Sequence, residues 1–129
     1  MDQNPAQEPT TGTIVALSRD VFFGMRMRTT IRQLGYTIEF VKDEAPLLEK
    51  VAESDPTLVF VDFNQPVNWE TLAPLLASDT PVVAFSSHTN VDGFRAAKAA
   101  GVNRTVSNGD FSRTMPDLIA KYGRSRAGS

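Results

Sequence analysis

The chain has 129 residues, 41% of them apolar, and a formal net charge of −2. That is about one domain of sequence with enough apolar material for a core, and a charge too small to imply a nucleic-acid or membrane surface. With no cysteine and a single histidine, His88, disulfides, thiolate metal sites and His-rich zinc sites are excluded, a composition that suits a reducing cytosol.

Residues 1–12 are polar and contain proline, and they lack the basic start and apolar core of a signal peptide, so a loose tail is expected there. The same holds for 124–129, leaving one domain over 13–123. No apolar run is long enough to cross a bilayer. "TIVALS" (13–18) reads as a short strand. "VFFGMRMRTTIRQLG" (21–35) has helical spacing, with Phe23, Met27, Ile31 and Leu34 on one face and Gly35 as its stop. "YTIEFV" (36–41) alternates as a strand does. A helix follows over 43–54, with Asp43 as its cap and Leu47, Leu48 and Val51 inward. "TLVFVDF" (57–63) is the third strand. A short helix over 68–78 is capped by Asn68 and bent or shortened by Pro74. "PVVAFS" (81–86) is the fourth strand. A helix over 90–101 ends in glycine, a weaker strand covers 102–107, and a last helix covers 112–123, its start blurred by Pro116.

Five βα units predict a doubly wound, flavodoxin-like sheet of five parallel strands in a three-layer α/β/α arrangement. The third and fourth strands are apolar on both sides, as central parallel strands are. Ligands of such folds meet the carboxyl ends of the strands near the switch in strand order. The first strand delivers Ser18, Arg19 and Asp20 to that edge. The third delivers Asp62, Phe63 and Asn64, the fourth Ser86, Ser87 and His88, and the fifth Ser107, Asn108 and Gly109. One carboxylate, Asp62, stands at the centre. It is either a turn former at a strand end or the core of a site.

In these residues the chain resembles the receiver domain of bacterial two-component response regulators, the CheY-like superfamily, nearly end to end. "VDFNQP" is similar to its acceptor motif. The resemblance implies the phosphoacceptor position at Asp62, a backbone carbonyl lent by Asn64, a turn at Pro66 and the conserved-type hydroxyl at Ser86. "AAGV" before the last strand fits as well.

The departures from that pattern are specific. Receivers carry two adjacent acids after the first strand to hold Mg²⁺. Here those positions are Ser18 and Arg19, with Asp20 one place late. Mg²⁺ takes oxygen ligands in octahedral geometry, usually with carboxylates among them, and a guanidinium opposes it. The receiver lysine falls on Asn108, which cannot supply a charge, and the aromatic switch position falls on Thr105. Arg19 either forms a charge-assisted pair with Asp62 or points to solvent.

The resemblance thus implies an atypical receiver, a pseudo-receiver. It would act in the cytoplasm as a protein–protein interaction module, not an enzyme, with no cofactor. Its partners would be signalling proteins: a histidine kinase, a downstream effector or a second copy of the chain. The expected interaction face joins the fourth helix, fifth strand and fifth helix through Phe94, Arg95, Lys98, Arg104 and Lys121, with Phe94 as apolar anchor. One alternative is a working phosphoacceptor that holds Mg²⁺ through Asp20 and Asp62. Another is a small-ligand binder or enzyme of flavodoxin-like fold, although "SRDVFFG" is a poor phosphate loop. Outside the site, His88 reads as a loop residue. Arg26, Arg28 and Arg32 form a solvated helix face or a docking stripe for an acidic partner. Phe22 is an exposed anchor if Phe23 faces inward, and Trp69 covers an edge of the core.

Overall fold

The alternation of apolar strands with amphipathic helices builds the predicted layers, here in a computed structural model that describes residues 12–124. The strands are β1 (Gly12–Leu17), β2 (Tyr36–Val41), β3 (Leu58–Asp62), β4 (Val82–Ser86) and β5 (Arg104–Ser107). The helices are α1 (Val21–Gln33), α2 (Glu44–Ser54), α3 (Ala73–Leu76), α4 (Val91–Ala100) and α5 (Asn108–Tyr122). All strand pairs are parallel, in the order β2-β1-β3-β4-β5. The order reverses direction between β1 and β3, so a crevice opens beyond their carboxyl ends. Among the described residues no helix is long and apolar enough to cross a membrane.

Every residue of β3 and β4 is buried, because helices cover both faces. On the α1/α5 side, Ile14, Met27, Ile31, Phe60 and Phe85 pack with Phe111. Phe85 and Phe111 stack with ring centroids 4.1 Å apart, and Phe60 meets Phe111 edge-on at 4.8 Å. On the other side, Val15, Leu17, Leu47, Val59, Val61 and Phe63 form a second cluster. Burial of apolar area in these two clusters is the dominant favourable contribution to the fold.

Several boundaries differ from the sequence expectation for local reasons. The helix expected over 68–78 is only Ala73–Leu76. Pro74 is tolerated only in a helix's first turn, so it marks the start and not a bend. Asn68 caps as expected, accepting from the Thr71 N–H at 3.1 Å, but it closes a turn instead of a helix. Asp43 makes no side-chain cap to α2. α5 begins at Asn108, earlier than expected, because the Ser107 hydroxyl caps it by accepting from the Asp110 N–H at 3.1 Å. The helix then kinks at Thr114, two residues before Pro116. Gly101 ends α4 at φ 100°, a conformation that glycine adopts without steric cost.

Gly12, assigned to the leading tail, is the first residue of β1. Arg124, assigned to the trailing tail, is clasped by Asp55 and Asp79 and donates to the Thr80 hydroxyl at 2.9 Å. The remainder of both expected tails lies outside the described residues.

Candidate functional site

Asp62 ends β3 and is 3% exposed. A buried carboxylate needs partners, and it has two. The Ser18 hydroxyl donates to Oδ2 at 2.7 Å, and the Asn64 N–H donates to Oδ1 at 2.9 Å. Ser18 follows β1, the neighbour of β3, so strand pairing alone brings the two together. Ser18 Oγ also accepts from the Asp20 N–H at 3.1 Å, which fixes the hydroxyl's orientation. Burial pushes the Asp62 carboxyl above its ordinary value. The bonds from Ser18 and Asn64 oppose that shift, and the charge of Asp20 adds to it.

Arg19 does not pair with Asp62. Its guanidinium bonds Asp43 and donates through Nε to the Lys42 carbonyl at 3.1 Å, while its backbone N–H donates to Gln65 Oε1 at 2.8 Å. The register explains this. Leu17 stands opposite Val41, so continuing both strands by two residues sets Arg19 beside Asp43. Both side chains of that pair are more than half exposed, so it contributes little to stability. Asp20 caps α1, accepting from the Phe23 N–H at 2.9 Å.

The Asn64 and Ser86 side chains meet each other and not Asp62. Asn64 Oδ1 accepts from the Ser86 hydroxyl at 2.8 Å and from the Ser87 N–H at 2.7 Å. Asn90, which the sequence reading passed over, completes this network. Its Nδ2 donates to Ser86 Oγ at 3.0 Å and to the Phe63 carbonyl at 3.1 Å, while its Oδ1 accepts from the Gly93 N–H. The signal for Asn90 was present as an Asn ahead of "VDGF", a cap position. Asn108 opens α5, and its Oδ1 is buried without a partner among the described residues. No hydrogen bond links it to Asp62. Thr105 is half-buried on β5, in register with Ala84. Among the described residues, no three His, Cys, Asp or Glu side chains gather as a metal-binding group.

The expected interaction face is changed in one respect. Phe94 is not an exposed anchor. It turns inward with Ala97 and meets the Phe63 ring edge-on, centroids 4.9 Å apart. Arg95 pairs with Asp92 at 3.3 Å, both highly exposed. Lys98, Arg104 and Lys121 are exposed and make no ion pair among the described residues. On α1 the conditional reading of Phe22 holds: Phe23 packs on Phe85 and Phe111, and Phe22 is 81% exposed. Trp69 lies at the edge of the second core cluster, its ring 6.2 Å from Phe63. His88 is an exposed loop residue.

No protein-family model and no curated protein matches the sequence. The fold is similar to CheY4, a chemotaxis response regulator of Vibrio cholerae, at 18% identity and a TM-score of 0.73, covering 88% of this chain and 99% of that one. It is similar to the signal receiver domain of an HD domain-containing protein from Pseudomonas fluorescens at 16% identity and a TM-score of 0.74, covering 85% and 92%. It also matches NtrX from Brucella abortus at 17% identity and a TM-score of 0.74, where it covers 88% of this chain and spans only 27% of the NtrX chain. The architecture is therefore the five-stranded, CheY-like fold of response-regulator receiver domains.

Proposed function

We propose that the chain is an atypical receiver domain, a signalling interaction module that works without Mg²⁺-dependent phosphorylation of Asp62. One observation carries this reading. The buried carboxylate at the receiver acceptor position is satisfied by Ser18 and by the Asn64 N–H. A hydroxyl group stands where a second metal-binding acid would be needed. Mg²⁺ fits this donor set poorly. It would find one buried carboxylate and one hydroxyl, with the neighbouring Asp20 committed to capping α1. Asn108 brings no cation to balance a phosphoryl group, and Thr105 brings no ring to report one.

The alternative, a phosphoacceptor holding Mg²⁺ between Asp20 and Asp62, has one point in its favour. The charge of Asp20 is close enough to raise the Asp62 carboxyl, and a dication would relieve that repulsion. A Mg²⁺ titration followed by Trp69 fluorescence tests the two readings, since Trp69 contacts the Phe63 ring next to Asp62. The proposed function predicts a flat response into the millimolar range. A saturable change that disappears in Asp62→Asn would establish the alternative. The partners on this reading are other signalling proteins or a second copy of the chain.

A further inference from the structure

Among the described residues the sheet ends at β2, which pairs with β1 alone. α5 packs against one flank of α1, through Phe111 on Phe23. Among the described residues no helix packs beside the opposite flank, which overhangs β2. Between that flank and the end of β2 lies a cavity of about 250 Å³, lined by Val21, Gly24, Met25, Arg28, Phe40 and Lys42, with Ser18 of the Asp62 site also in its wall. Its floor is apolar. Gly24 lies in its wall, where an added Cβ would make ordinary contact with the Phe40 ring at 3.4 Å and fill part of the space. Val21 and Met25 are 65% and 61% exposed, a degree of apolar exposure that marks contact surfaces when it is clustered.

The rim is cationic. Arg28 lies over the Phe40 ring at 5.3 Å. Arg28, Lys42 and, one turn further along the same flank, Arg32 form no ion pair among the described residues. Arg19, also in the wall, is neutralised by Asp43. The one carboxylate of the wall, Asp20, is spent on the helix N-terminus.

Size and charge together select an occupant. The cavity is smaller than the roughly 300–1,000 Å³ that encloses a drug-sized ligand, and it suits a single bulky side chain. Unpaired cations around an apolar hole select carboxylates flanking that side chain. We propose that the α1–β2 cleft docks an acidic peptide segment of a partner protein. One large apolar residue would seat on Phe40, Gly24 and Met25, and its acidic neighbours would meet Arg28, Arg32 and Lys42. The inference rests on the interaction-module reading only in giving the domain a partner, and the Mg²⁺ titration tests that reading separately.

The test is a phage-displayed random peptide library selected on the full chain. Enriched peptides are expected to carry a Phe, Trp, Leu or Met flanked by Asp or Glu. A fluorescein-labelled synthetic copy should bind the wild type and weaken about tenfold or more in Arg28→Glu/Lys42→Glu, two exposed positions. It should bind Arg95→Glu and Asp62→Asn as it binds the wild type, and on ¹⁵N-labelled chain it should shift amides of α1 and of the end of β2. Peptides without acidic enrichment, equal binding to the charge-reversed variant, shifts confined to other elements, or no enrichment would each overturn the proposal. So would a dimer, seen by light scattering, that dissolves in the charge-reversed variant, because the cleft's occupant would then be a second copy.

Discussion

Ser18 Oγ donates to Asp62 Oδ2 across the switch between β1 and β3, at 2.7 Å. The carboxylate at the centre of the fold's functional edge is thus held by its own protein, and the neighbouring guanidinium of Arg19 is engaged elsewhere.

Removing the hydroxyl should therefore cost more than removing the charge. Ser18→Ala leaves a buried carboxylate short of a donor, a loss of about 1–3 kcal/mol. It should also push the Asp62 carboxyl further up, because the Ser18 bond opposes the shift. Arg19→Ala breaks an exposed pair worth about 0.2–1 kcal/mol. Urea unfolding of both variants, with double-mutant cycles, checks the partner assignment. Arg19 should couple to Asp43 and be additive with Asp62. Coupling to Asp62 would restore the pairing that the sequence reading allowed.

Asp62 should make stability depend on pH in a defined sense. Burial raises its folded-state pKa above the unfolded value, so the folded state holds the proton more tightly. Its contribution is fully present below the unfolded value and is lost as pH rises through the raised folded value. In Asp62→Asn the amide oxygen can accept from the Asn64 N–H while the amide NH2 donates to Ser18 Oγ, which turns from donor to acceptor, and the side chain carries no charge. The variant should be more stable than wild type at neutral pH by about 0.5–2 kcal/mol. That advantage should shrink as pH falls through the window between the two pKa values. Thermal or urea unfolding of both proteins from neutral to acidic pH measures it. An advantage that grows on acidification would contradict the burial account.

How much of this the sequence disclosed can be seen residue by residue. The position of Asp62 was legible because "LVFVD" is an unbroken apolar run ending in one acid, and β3 is indeed buried throughout. The five-fold alternation carried the fold in the same way. Arg19 was not legible, because its choice between two carboxylates is made by the Leu17–Val41 register, a contact across the sheet. The direction of Phe94 was lost for a similar reason. Its spacing to Lys98 permits a shared edge, but the helix is phased by Ala97, which buries Phe94 on Phe63 and leaves Lys98 outside. Asn90 was hidden because an ordinary helix cap and a site residue look alike until the partners of its side chain are known.

On the proposed reading, with Phe94 inward, docking through α4, β5 and α5 would depend on the cations Lys98, Arg104 and Lys121. Lys98→Glu should weaken binding of an acidic partner at that face by about tenfold, equivalent to about 1.4 kcal/mol. Asp62→Ala should leave it unchanged, because on the proposed reading no phosphoryl switch feeds the face. Sedimentation of the three proteins at matched concentration, each with the acidic partner present, reads the effect. Association lost in Asp62→Ala and intact in Lys98→Glu would favour the phosphoacceptor reading.

The most direct measurement is the intact mass of the protein after incubation with Mg²⁺ and a small-molecule phosphodonor such as phosphoramidate, beside the Asp62→Asn variant. A carboxylate held by Ser18 and the Asn64 N–H, with Asp20 capping α1, is expected to show no added phosphoryl mass in either protein. A phosphoryl increment in the wild type that requires Mg²⁺ and is absent from Asp62→Asn would contradict the account.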